Sequence, residues 1–249
     1  MSINSLPPIA LISANANEFI KNGLEQNRFC VISLPADKRL APQVESHADM
    51  LISVLDDTVF CNEEYYKSHK ETFEMLTEYG YQIDTSEFTV SDRYPCDVAL
   101  NQAIIGKKII GRNESCAKSI LKYAEQHGYE YHSTRQGYAK CSTLILGEKA
   151  LVSADPSILS IADRLGIDSL KIENSASDVT LDGYDYGFIG GASAVYEDKV
   201  IFFGDITRHS RGKEITDLCQ RHGFSVISLG NERLCDVGGA IILPYLDKK

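Results

Sequence analysis

The sequence predicts an α/β fold built as a ring: five strand–strand–helix–strand units with pseudo-fivefold symmetry, closed by pairing the N-terminal strand with the C-terminal one. Three observations predict it. Five segments place apolar residues at helical spacing, and four of them stop at a glycine. Paired apolar runs with short polar turns precede those four segments. The final apolar run, "CDVGGAIILP", has no partner after it, whereas "PPIALISANA" near the start has none before it.

In chain order, the first helix carries Ala16, Phe19, Ile20 and Gly23 and ends at Asn27 before the strand "FCVISLP". The hairpin "ADMLISVLDDTVFC" turns at Leu55-Asp56-Asp57. It leads into a looser helical pattern, Tyr66, Phe73 and Leu76, that stops at Gly80-Tyr81. "CDVALNQAIIGKKIIG" turns at Gly106-Lys107, and its helix (Ala117, Ile120, Leu121, Ala124) stops at Gly128-Tyr129. "AKCSTLILGEKALVSAD" turns at Gly147-Glu148-Lys149, followed by Ile158, Ile161, Ala162, Leu165 and the stop Gly166-Ile167. "IGGASAVYEDKVIFFGD" turns at Glu197-Asp198, followed by Ile215, Leu218, Cys219, His222 and the stop Gly223-Phe224. Glycine just past a helix takes the left-handed cap without a Cβ penalty, so a short strand follows each stop. Aligned on their starts, the hairpins put Asp49, Asp97, Lys140, Gly190 and Asp236 in equivalent places, spaced 48, 43, 50 and 46 residues apart. The expected units are 35–84, 85–134, 135–175, 176–230, and 231–249 joined to 1–34, together one domain. A doubly wound sheet is the competing α/β reading, but it predicts one strand per helix and a phosphate loop, and neither GxGxxG nor GxxxxGK[ST] occurs.

Composition narrows the functional classes. A formal charge of −10 opposes binding to nucleic acid, and suits a small cationic molecule or a basic protein partner. No apolar run reaches the length of a membrane helix, and Met1–Asn17 lacks the basic and apolar regions of a secretory signal, so a cytoplasmic protein with no membrane contact is expected. Seven dispersed cysteines without a CxxC pair read as reduced thiols, not as a disulfide framework or zinc site. Beyond His47-x-Asp49 no metal-ligand spacing is found, and neither a metal nor a cofactor is expected.

In a ring of such units the first strands line a central channel and their leading residues converge. Asp49, Asp97 and Asp236 are expected to face Lys140 across its narrow end, where gathered carboxylates attract a guanidinium or ammonium group and perturb one another's protonation. Taken singly, each Asp reads better as a turn former or a cap of a backbone N–H; three in register favour the channel. His47, a candidate acid/base, stands two residues before Asp49, and on a strand the pair shares one face. Cys141 beside Lys140 is a candidate nucleophile, since a neighbouring cation increases thiolate. Alternation along a strand points the two side chains apart, however, and the register with Met50 and Val98 favours a buried structural thiol. Asp205, Arg208, His209 and Arg211 bunch in "GDITRHSRGKE" before a helix: either the two arginines hold a ligand carboxylate, or Thr207 or Ser210 caps the helix and Arg211 lies solvated. For Gly190-Gly191, crowding at the axis is the first explanation.

The architecture resembles the five-bladed α/β propeller of the pentein, or guanidine-modifying enzyme, superfamily. "HADM" resembles the His-x-Asp of arginine deiminases, "FIGGA" their Phe-Glu-Gly-Gly-Asp, and "DVGGAII" their terminal strand; the combination is similar to a less characterised bacterial branch. The resemblance implies His47 and Asp49 as site residues. It does not supply the nucleophile: Ala240, Ile241 and Ile242 fill the stretch where the family's cysteine lies, while Ile189 and Ala192 replace its acidic residues. The resemblance implies binding, hydrolysis or transfer on a guanidino or amidino compound. The alternative is a non-catalytic ring that binds a protein, as the superfamily's ribosome anti-association factor does, or senses a small molecule.

Overall fold

The structure, a computed structural model, describes residues 6–246, so the outermost ends of the split unit and the first residues of Met1–Asn17 lie outside the described residues. It contains five three-stranded sheets of one design. Sheet I is Ile52–Leu55, Thr58–Asn62 and Gln82–Ser86; sheet II is Ala103–Ile105, Lys108–Gly111 and Glu130–Ser133. Sheet III is Thr143–Leu146, Ala150–Ser153 and Asp168–Lys171; sheet IV is Ser193–Tyr196, Lys199–Phe202 and Ser225–Ser228. Sheet V joins the ends of the chain: Ala240–Leu243 pairs antiparallel with Ile9–Ser13, which pairs parallel with Cys30–Leu34. In every sheet the first two strands are antiparallel, the last two parallel, and a helix connects the second to the third, as a parallel pair requires.

The central strand explains why each unit reads as it does. Ile9–Ser13, Thr58–Asn62 and Ala150–Ser153 are buried at every position, which demands a continuous apolar run, whereas the third strands mix exposed and half-buried positions. Helices Glu18–Gln26, Lys70–Glu78, Lys118–Gln126, Pro156–Arg164 and Gly212–Arg221 cover the sheets with the apolar stripes expected. The second pattern is loose because it is two helices: Glu63–Ser68, capped by the Asn62 side chain, breaks at His69 before Lys70. All four stop glycines take positive φ, Gly80 at +99° and Gly223 at +85° among them. At the first helix Asn27 stays right-handed and Arg28, at φ 68°, makes the left-handed turn instead.

Apolar side chains form five clusters, each shared by two sheets. Phe60 of sheet I packs with Ile109 of sheet II; Ile110 of II with Leu151 of III; Val152 of III with Phe202 of IV; Ile201 of IV with Ile12 of V; and Leu11 of V with Val59 of I. Among the described residues no strand hydrogen bonds link one of these sheets to another, so they do not merge into a continuous barrel. No described helix is long and apolar enough to cross a membrane.

The hairpins start later than the sequence suggests, which corrects the placement of the acidic residues. Asp49 lies in a helical turn, Ala48–Leu51, and Asp97, Lys140 and Asp236 lie in turns ahead of their strands. His47 and Asp49 therefore do not share a strand face. A two-residue parallel pair, Val179–Thr180 with Leu234–Cys235, was not expected; with the Asp236 N–H donated to the Thr180 carbonyl at 2.8 Å, it ties the turn before sheet V to the segment before sheet IV.

Candidate active site

The turns ahead of the first strands meet around a partly open cavity of about 220 Å³, lined by His47, Met50, Tyr138, Cys141 and Asp236 together with the overhang Leu181–Phe188. Counting back from each first strand shows why. Two residues before it stand Met50, Asn101, Cys141, Gly191 and Gly238, and each enters or borders the site. Asp97 stands six residues before its strand, because the second unit has a longer turn, and it falls out of register.

Cys141 is in the turn Tyr138–Ser142, closed by the Ser142 N–H donating to the Tyr138 carbonyl at 3.0 Å. Its thiol donates to Asp49 Oδ2 at 2.9 Å and accepts from Asn101 Nδ2 at 3.0 Å. Asn101 is the keystone, and sequence reasoning missed it. Its carbonyl accepts the Lys140 and Cys141 N–H groups at 2.8 and 3.1 Å, and its amide also donates to the Asp49 carbonyl at 3.1 Å. The signal was its position two residues before "AIIG", matching Cys141 once units are aligned on strands instead of acids.

Burial dominates the electrostatics. It pushes the Asp49 carboxyl up to about 7; the Lys140 ammonium pulls against this, Asp236 adds to it, and the thiol's hydrogen bond opposes it. Asp49 Oδ1 has no hydrogen-bond partner. Burial, then the Asp49 and Asp236 charges, raise the Cys141 thiol well above its ordinary range, so at rest it holds its proton. Burial lowers His47, which Asp236 opposes across 4.0 Å, so its imidazole is neutral near pH 7.

Asp236 is held by backbone: Oδ2 accepts the Phe188 N–H at 2.8 Å and Oδ1 the Gly238 N–H at 3.0 Å. Gly191 is required beside it, because a Cβ there would overlap the Asp236 carboxylate, and one at Gly190 would strike the Lys140 and Thr143 carbonyls. Crowding thus accounts for the Gly-Gly pair. Gly191→Ala is expected to dislodge Asp236 and destabilise the fold by about 2 kcal/mol, measured by urea denaturation.

Three expected site residues sit elsewhere. Asp97 accepts a short hydrogen bond from the Tyr138 hydroxyl behind the cavity wall and does not face Lys140. Arg208 is exposed in a turn, and His209 is buried with Nδ1 accepting the Arg211 N–H; neither lines the cavity, so the carboxylate clamp is not built there. Lys140 and Cys141 do point apart, though across a turn and not along a strand. Lys140 Nζ reaches the Gly190 carbonyl at 3.5 Å and lines a separate groove of about 370 Å³ between the first strands of sheets II to V. Among the described residues no group of three or more His, Cys, Asp or Glu could hold a metal ion.

A family model matches residues 11–241, most of the chain. The chain belongs to DUF6873, a family of unknown function. This DUF6873 chain is similar in structure to DDAH from Pseudomonas aeruginosa, solved as a mutant with citrulline, at 13% identity and a TM-score of 0.60 over 98% of this chain and 100% of that one. It is also similar to an amidinotransferase of saxitoxin biosynthesis from Microseira wollei, at 12% and 0.58 over 94% and 79% of the two chains. Inosamine-phosphate amidinotransferase from Streptomyces griseus gives 12% and 0.58 over 92% and 79%. No curated protein matches the sequence. The DUF6873 chain therefore has the mixed α/β pentein fold of guanidine-modifying enzymes, as the resemblance implied.

Proposed function

We propose that this protein is a pentein-fold enzyme acting on a small guanidino or amidino compound, with Cys141 as nucleophile. The observation that carries the proposal is the Cys141 thiol, 2.9 Å from a carboxyl poised near neutrality, inside a cavity walled by aromatic rings and acids. The architecture behind it is five blades around an axis, with units at 35–84, 85–134, 135–175 and 176–230 and a fifth made from both ends. The cyclic sharing of apolar clusters supports that arrangement.

A cation bound against Asp236, with Asp49 behind the thiol, offsets the two charges that hold the thiol protonated, which is why the neutral resting state fits catalysis. In the reaction, Sγ bonds to the amidino carbon as its proton passes to Asp49. That proton goes on to the departing amine as the C–N bond breaks. His47, neutral because buried, takes a proton from water, whose oxygen displaces Sγ; the proton then returns to the thiolate. In a transferase an acceptor amine replaces the water.

The second reading is a non-catalytic binding module. It is favoured by the same protonated resting thiol, and by a C-terminal strand that offers Ala240, Ile241 and Ile242 in place of a cysteine. Alkylation separates the two. 2-Chloroacetamidine, a cation, is expected to modify Cys141 at least tenfold faster than the neutral 2-chloroacetamide, and Asp49→Asn is expected to erase that preference. Peptide mapping by mass spectrometry reads the outcome, with the exposed Cys30 as internal control. Modification of Cys30 while Cys141 stays untouched by both reagents would reject the catalytic reading.

A further inference from the structure

From the charges around the cavity we infer that its ligand is positively charged at both ends and carries no carboxylate. This rests on reading the inner end as the guanidino or amidino site.

Acids line the cavity at its inner end and its mouth, and two more lie behind its wall. Asp236 lines its base beside Cys141, with Asp49 directly behind the thiol. Asp97 lies behind the wall, hydrogen-bonded to Tyr138. Asp185 lines the mouth, on the overhang that also contributes Tyr184, Tyr186 and Phe188. No Lys or Arg occurs among the described lining residues. Neither Lys140 nor Arg112 lines it: Lys140 lines the groove between the first strands of sheets II to V, and Arg112 lies over Tyr94.

A ligand of the amino-acid type would bring a carboxylate to this mouth. There it would lose water against aromatic rings with no cationic donor to receive it, and would sit near Asp185. An ammonium in the same place meets Asp185 and the faces of Tyr184 and Tyr186. The overhang is also well placed to select. It is closed at its base by the Gly187 N–H donating to the Val179 carbonyl at 2.9 Å, and its end is pinned by the Phe188 N–H on Asp236. The selecting mouth is thus anchored directly to the site's inner carboxylate.

Four probes of related length test this by calorimetry on the full chain: agmatine, arginine, butylguanidine and 1,4-diaminobutane. Agmatine is expected to bind at least tenfold more tightly than arginine and severalfold more tightly than butylguanidine. Asp185 is exposed, so Asp185→Asn should leave the fold intact and weaken agmatine about threefold without weakening butylguanidine. Arginine binding as tightly as agmatine would overturn the exclusion of carboxylate, and butylguanidine matching agmatine would overturn the second positive end. In both cases the guanidino reading survives. Diaminobutane binding while all three guanidines fail would leave the doubly charged ligand standing and remove the guanidino reading instead; no binding by any probe would overturn both.

Discussion

Asn101→Leu is expected to destabilise the protein by roughly 4 kcal/mol and lower its Tm by about 10 °C. The side chain is fully buried and joins three stretches of chain: the Lys140 and Cys141 N–H groups, the Asp49 carbonyl and the thiol. Leucine fills similar space but accepts and donates nothing, so two backbone N–H groups and one carbonyl lose their buried partners together. Thermal unfolding measures the loss. Asn101→Asp separates the two duties of the residue, because it keeps the acceptor for the N–H groups but places a third acid beside Asp49 and the thiol. Its Cys141 should therefore alkylate more slowly than wild type even where the fold survives.

Asp49→Asn should change how stability depends on pH. The carboxyl is raised to about 7 in the folded protein from an ordinary 3.8. Below about pH 4 it is protonated in both states and contributes no dependence. Between about 4 and 7 the folded chain keeps a proton that the unfolded chain releases, so stability falls as pH rises, and above 7 the full penalty is present. Asparagine cannot titrate. Relative to the variant, wild type should lose roughly 4 kcal/mol between pH 4 and pH 8, followed by urea denaturation across that range. His47 acts in the opposite direction: its lowered folded value means stability is gained as pH rises through 6.5, and comparing the two proteins cancels that contribution. A wild type that tracks the variant at every pH would show that Asp49 does not carry the raised value.

The repeat was legible because four of the five units state it twice, in the largely buried central strand and in the glycine that ends the helix. Pairing of the two chain ends was legible for the same reason: one strand lacked a successor and the other a predecessor. The site was harder to read. Aligning the units on acidic residues found Asp49 and Lys140, three residues before their strands, but displaced Asp97 and Asp236, whose turns differ in length. Only the paired strands fix the register, and they bring Asn101 level with Cys141. The helical turn at Ala48–Leu51 could not be told from the strand that follows, since in "ADMLISVL" the polar Asp49 and Ser53 interrupt one apolar run without a change of period. Two-residue pairing at Val179–Thr180 is too short to leave a period, so the aromatic overhang it supports was not visible as part of the site.

Sheet V has a consequence for biosynthesis. Ile9–Ser13 and Cys30–Leu34 are made first, yet Ala240–Leu243, which pairs with Ile9–Ser13, follows only after the strands of the other four sheets. The apolar edge of Ile9–Ser13 must therefore wait for its partner while sheets I to IV are synthesised. With head and tail side by side in one sheet, joining them and cutting the chain at an exposed turn such as Glu197-Asp198 should give a circular permutant that folds as well, and whose sheet V can assemble during translation.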